Sequence, residues 1–187
     1  MEHTAYIFMG SEVGLLDELF KNPAQMPFGL AVPLNMGAPD AAAWKKYITA
    51  RFREFKVSLT AAEIDELLDF CGGHPRDLME LCEHLLTVRS LNPDISGTLE
   101  IAKKRTLNSL RPQFDEIWKR LEKPTGSQIT ATRIANHLAI YGPGRPHKSV
   151  ARTLEKLERE GVIHKVARGN YEFTEPLFGY YVRELGD

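Results

Sequence analysis

A chain of 187 residues, 43% hydrophobic and 26% charged, is long enough for one ordinary domain or two small ones and reads as a soluble globular protein. No apolar run approaches the ~20 residues that a membrane span needs, and the start, Met1-Glu2-His3-Thr4, lacks the basic region of a secretion signal. The net charge of −1 conceals a split: residues 1–100 hold 8 Lys and Arg against 15 Asp and Glu, whereas residues 101–187 hold 16 against 10. Such a split predicts two units with different partners, the basic one facing nucleic acid or an acidic protein. Cys71 and Cys82 fall in helical patterns. They are expected as buried free thiols of a reducing compartment, which makes the cytoplasm the expected location.

In chain order, Ala5-Tyr6-Ile7-Phe8-Met9 is an apolar run ending at Gly10-Ser11, the pattern of a strand covered on both faces. No second clear strand follows within the next 100 residues. Its backbone partners are therefore expected upstream, and the chain reads as part of a longer protein. Residues 12–21 form an amphipathic helical pattern (Leu15, Leu16, Leu19, Phe20) broken by Asn22-Pro23, and 27–39 read as an extended loop with one short strand pattern at 30–33. From Asp40 the period becomes helical. Residues 41–55 carry Trp44, Tyr47, Ile48, Phe52 and Phe55 as a core stripe. Thr60 and Glu63 make a capping-box pair, after which Ile64, Leu67, Leu68 and Cys71 face inward as far as Gly72-Gly73. Pro75 opens a third helix whose buried side is Leu78, Met79, Leu81, Cys82, Leu85 and Leu86. These three helices predict a small bundle. Residues 91–97 are a polar linker and the expected boundary. A long helix then spans 99–121 on Leu107, Leu110, Phe114, Ile117, Trp118 and Leu121, with Pro112 as the point where a fresh segment would start.

The stretch from Ile129 to Thr174 points to a partner. Thr130 is the expected cap of a helix over 131–138, a Gly/Pro-rich turn covers 141–146, and a second helix covers 147–160 before Gly161. Two β-type runs, 162–166 and 171–174, are joined by Arg168-Gly169-Asn170. Helix, turn, helix and β-ribbon in that order is the layout of a winged helix-turn-helix. At about 100° per residue, Val150, Leu154 and Leu157 share one stripe of the second helix. Lys148, Arg152, Lys156 and Arg159 lie roughly opposite, with Glu155 the only acid among them. A recognition helix lays its outward face in the DNA major groove with its first turns nearest the base edges. The residues expected on DNA are Arg145, Lys148, Ser149, Arg152 and Lys156, joined on the ribbon by Lys165, Arg168 and Asn170. The plainer alternative is a solvated basic face. A last helix over 177–185 carries Phe178, Tyr180 and Tyr181, expected to pack back on a domain.

Read together, Phe8-Met9-Gly10-Ser11, Leu19-Phe20, Pro27-Phe28-Gly29, Trp44 and Tyr47, Gly72-Gly73-His74-Pro75-Arg76-Asp77-Leu78 and the closing Glu175-Pro176-Leu177-Phe178 resemble the C-terminal portion of an AAA+ ATPase, of the archaeal and bacterial kind related to the STAND and origin-recognition ATPases. The resemblance covers nearly the whole chain, and Gly73-His74-Pro75-Arg76 is its most specific piece. It implies a mainly α fold: residues 1–39 as the remnant of an α/β ATPase core, 40–92 as a three-helix lid, 99–187 as a winged-helix domain. It implies nucleotide contacts at Ser11, near a γ-phosphate, and at His74, Pro75 and Arg76. Arg76 then matches a sensor-2 arginine or stands beside a Gly-x-Pro motif that touches the nucleotide. A helix start with an adjacent guanidinium suits a phosphate, and the alternative is a tight inter-helix turn with a solvated arginine. Leu30 stands where relatives often carry an arginine after Pro27-Phe28-Gly29, which puts a trans-acting arginine from that loop in doubt.

The chain contains no Gly-x-x-x-x-Gly-Lys-Ser/Thr loop and no strand ending in paired acids for magnesium. Gly142 to Ser149 is the nearest lookalike, but His147 stands where the last glycine is required, so this segment reads as the turn before the recognition helix. The chain alone is expected not to hydrolyse ATP and to hold no cofactor, with ATP and magnesium belonging to the parent protein. Cys71, His74, Cys82 and His84 are rejected as a zinc set, because Cys82 and His84 point about 200° apart on a helix. The expected function is a DNA-binding lid and winged-helix segment coupled to nucleotide state, whose partners are DNA and the missing ATPase core, with no membrane. A protein-interaction module and a free-standing transcriptional regulator are the alternatives.

Overall fold

The computed structural model describes residues 40–91, 96–121, 126–138, 140, 147–167 and 169–185, with Ile7, Phe20, Pro23, Val32 and Leu34 as isolated positions. Most of the strand expected at 5–9, the loop at 27–39 and the turn at 141–146 therefore lie outside the described residues. So do Ser11, Arg145 and Arg168. Ile7 is exposed, and Phe20 is helical, as its pattern predicts. Among the described residues the architecture is mainly α, with seven helices and one two-stranded antiparallel sheet.

The first three helices are α1 (Ala41–Glu54), α2 (Ala61–Cys71) and α3 (Pro75–Leu91). Helix α1 starts where Asp40 accepts from the Ala43 amide, and it buries Ile48 and Phe52. Tyr47 and Phe55, expected in its core stripe, are exposed: Phe55 caps the helix, just past its last turn. Helix α2 carries the full capping box. The Thr60 hydroxyl accepts from the Glu63 amide at 3.2 Å, and the Thr60 amide donates to the Glu63 carboxylate at 2.8 Å. Gly72, left-handed at φ +54°, ends it. Helix α3 buries Leu78, Leu81, Cys82, Leu85 and Val88. Met79, expected inside, is exposed, while Asp77 is fully buried beside Leu78.

Helix α4 (Thr98–Arg120) passes through Pro112 without a break. A proline inside a helix costs about 3 kcal/mol. Here Leu110 and Phe114 on either side are both buried in the core, which holds the two halves in line. Helix α5 (Ser127–Ala135) starts four residues earlier than expected. Gly126, left-handed at φ +70°, precedes it, and Thr130 lies inside it with its hydroxyl bonded to the Gly126 carbonyl. Gln128 donates to the Trp118 carbonyl, which ties the first turn to α4. Apolar periodicity does not mark Ser127-Gln128, so the start was hidden. The end comes early as well: His137 adopts φ +53°, and Leu138 is left exposed.

Helix α6 (His147–Arg159), strand β1 (Ile163–Ala167) and strand β2 (Asn170–Phe173) follow. The strands pair antiparallel with Ile163 opposite Phe173 and Lys165 opposite Tyr171, and the register slips between Lys165 and Ala167. Helix α7 (Pro176–Glu184) begins with proline at its first turn. It packs on α2, α4, α5 and β2. Phe178 meets Phe114 and Phe173 edge to face at 5.6 and 5.4 Å, and Gly179 leaves the room that Phe173 fills. One continuous cluster of buried residues runs from Ile48 on α1 to Val182 on α7, so the core crosses the boundary expected at 91–97.

Candidate nucleic-acid interface

Helix α6 turns Val150, Thr153, Leu154 and Leu157 into the core. That fixes what it shows outward. At about 100° per residue, Lys148, Arg152, Glu155 and Arg159 fall within roughly 60° of one another, on the face opposite Leu157. All four are exposed. Lys148, Arg152 and Arg159 make no ion pair with any described residue; Lys156, at the edge of the stripe, lies 3.7 Å from Glu160. Ser149 is exposed on the same flank as Lys156. On the hairpin, Lys165 and Asn170 are exposed, Lys165 again without an ion pair among the described residues. Three cations on one helix face and a fourth on the adjoining strand, none in an ion pair among the described residues and with Glu155 the one acid in the stripe, make a surface suited to a polyanion.

A second feature lies along the hairpin, and Asn170, expected on DNA, is among the residues that line it. A groove of about 1060 Å³ runs between the Gly72-Gly73-His74-Pro75 turn, the end of α5 and both strands. It gathers three histidines that are scattered in the sequence: His74 from the turn, His137 from the end of α5 and His164 from β1. No sequence signal joins them, because they come from three elements and meet only through the packing of α7. Leu138 and Val166 add exposed apolar surface to the same groove. Among the described residues no group of three His, Cys, Asp or Glu side chains is placed to hold a metal ion.

The residues expected on a nucleotide divide. His74 and Pro75 line the groove. Arg76, at the first turn of α3, is instead engaged by carboxylates: its Nε and Nη2 donate to Asp77 Oδ1 at 3.0 and 2.9 Å, and Nη2 also donates to Glu175 Oε2 at 3.1 Å. Burial draws the guanidinium pKa down, but Asp77 and Glu175 outweigh it and hold the pKa above its ordinary value. Asp77 Oδ2 is buried with no hydrogen-bond partner among the described residues. His74 Nδ1 lies 3.2 Å from Asp77 Oδ1, close enough for a charge contact when protonated yet outside hydrogen-bond geometry. The two buried thiols are far from reactive: burial first, then the nearby Asp77 charge, pushes Cys71 up, and burial pushes Cys82 up to about 12.

No family model and no curated protein matches the sequence. The fold does match a solved structure. A Walker-type ATPase of Pyrococcus abyssi superposes with a TM-score of 0.68 at 23% identity, over 93% of this chain and 51% of that one. The likeness shows a shared fold, and this chain spans about half the length of that ATPase. No helix among the described residues is long and apolar enough to cross a membrane.

Proposed function

We propose that this chain is the lid and winged-helix segment of an AAA+ family ATPase and that it binds duplex DNA through α6 and the β1–β2 hairpin. The observation that carries the reading is the outward stripe of α6: Lys148, Arg152 and Arg159 exposed and without ion pairs among the described residues, flanked by Lys165 on the hairpin. The order α5, α6, β1, β2 supports reading these elements as a helix-turn-helix and wing, in which such a stripe faces the major groove and the wing meets the adjoining backbone. The fold shared with a Walker-type ATPase supports the parent as a nucleotide-driven machine. Helices α1–α3 would then be its lid, with Ser11, His74, Pro75 and Arg76 toward the nucleotide.

The test is a gel-shift titration at several salt concentrations. Lys148→Ala and Arg152→Ala each weaken duplex binding by about tenfold and reduce the salt slope by about one, as loss of a phosphate contact should. Unchanged affinity and slope in both variants would remove DNA from this face. The second reading is a protein-docking module, favoured by the exposed Leu138 and Val166 along the groove. In that case Leu138→Asp would abolish partner capture while the α6 variants leave it intact.

A further inference from the structure

We infer that the Gly72-Gly73-His74-Pro75 turn and the start of α7 form a latch, a polar seam that pins the turn before α3 to the first turn of α7 and opens locally while the shared core stays packed. The two segments are about a hundred residues apart, yet they sit directly on each other. A Cβ added at Gly72 would stand 2.8 Å from Pro176 Cγ, so the turn backbone rests on the proline ring. Beside that contact, Arg76 reaches across to Glu175 Oε2 at 3.1 Å and toward Gln113 Oε1 at 3.4 Å. Gln113 closes the circuit from α4 by donating to both Glu175 oxygens, at 3.1 and 3.2 Å.

The two carboxylates holding Arg76 differ in depth, and that difference makes the seam one-sided. Asp77 is wholly buried on Arg76's own helix, so it stays with the guanidinium in any motion of α3. Glu175 keeps 25% of its side chain in solvent, and Arg76 keeps 43%. Water replaces the Arg76–Glu175 contact at small cost, because an ion pair this exposed is weak. Glu175 is also the N-cap residue of α7 yet makes no capping bond from its side chain, so releasing it leaves the helix start as it was. What remains after release is the rest of the packing of α7: Phe114 against Phe178 and Tyr181, with the Tyr181 hydroxyl donating to Asp115 Oδ1 at 2.5 Å, holds its body to α4, and Tyr180 stays against Phe70 of α2. Opening is therefore a tilt about that aromatic contact. It lifts Pro176 from Gly72 and widens the groove that both line. The inference stands on these contacts and does not depend on the DNA reading.

Amide hydrogen exchange on the full chain tests it, comparing the unsubstituted protein with Glu175→Gln and Glu184→Gln. Glu184 pairs with Arg111 at the far end of α7, away from the turn, so it serves as the control. Glu175→Gln should raise exchange about fivefold at low salt, the size expected for one exposed pair. The rise should be confined to residues 72–78 and 163–178. Glu184→Gln should leave those amides alone, and high salt should bring the unsubstituted protein toward the Glu175→Gln rates. Rates in Glu175→Gln equal to the unsubstituted protein, the same rise in Glu184→Gln, or a rise spread evenly over all helices would overturn the latch.

Discussion

Gly72 is the residue at which backbone conformation and packing coincide. It is left-handed at φ +54°, and the proline ring opposite it cannot swing away as a flexible side chain would. Gly72→Ala should therefore cost about 1–3 kcal/mol, from the strained conformation together with the clash. Urea unfolding measures it, and an unchanged midpoint would mean that Pro176 does not sit where the structure has it. The neighbouring Asp77 shows what a sequence pattern misses. Hydropathy places Met79 inside α3, but it is exposed, and Asp77, which no apolar pattern marks, is fully buried. Met79 falls on the flank of the stripe formed by Leu78, Leu81, Cys82 and Leu85, whereas Asp77 falls on its edge. Its charge is tolerated there because Arg76 meets it at 2.9 Å, a pairing that no periodicity encodes.

At the scale of elements, what could be read from the sequence is what short-range chemistry dictates. The capping box at Thr60 and Glu63, the glycine stop at Gly72 and the inward stripe of Val150, Leu154 and Leu157 each depend on residues within one or two turns. The missed features depend on distant ones: α4 runs through Pro112 because the core grips Leu110 and Phe114, and α5 starts early because Gln128 reaches the carbonyl of Trp118. Helix α2 offers a test of the local kind. Thr60→Ala should lower stability by about 1 kcal/mol near neutral pH, the usual value of an N-cap. Glu63 adds a pH dependence. Burial pushes its carboxyl up, but the Thr60 amide and hydroxyl and the Arg89 guanidinium outweigh it and hold its pKa below the ordinary 4.5. A carboxyl depressed in the folded state stabilises above its unfolded pKa, and that contribution fades as pH falls through the lower folded value. Glu63→Gln should accordingly flatten the decline in stability below about pH 4.5 measured by acid titration of the unfolding midpoint. A decline as steep as in the unsubstituted protein would contradict that account.

For the whole molecule, the sequence predicts two units and the structure carries one core through both. Helix α3 lies along α4, and α7 touches α2, α4, α5 and β2, so the basic half and the acidic half are joined by buried side chains as well as by the chain. The charge split was legible because composition needs no three-dimensional information. The groove with His74, His137 and His164 was not, because only the docking of α7 brings them together. The molecule shows two surfaces, the stripe of α6 and the groove, and Asn170 of the hairpin lines the groove. Lys148, Arg152 and Arg159 of α6, without ion pairs among the described residues, face outward, and the turn at the start of α3 lines the groove. The central claim is that the outward face of α6 and the hairpin meet DNA. The most direct measurement is a titration of the isotope-labelled chain with short duplex DNA, followed by amide chemical shifts. The account predicts perturbations concentrated at Lys148, Ser149, Arg152 and Lys165 and absent from α1 and α2. Perturbations centred on the groove or on α1, or none at a duplex concentration that saturates nonspecific binding, would contradict it.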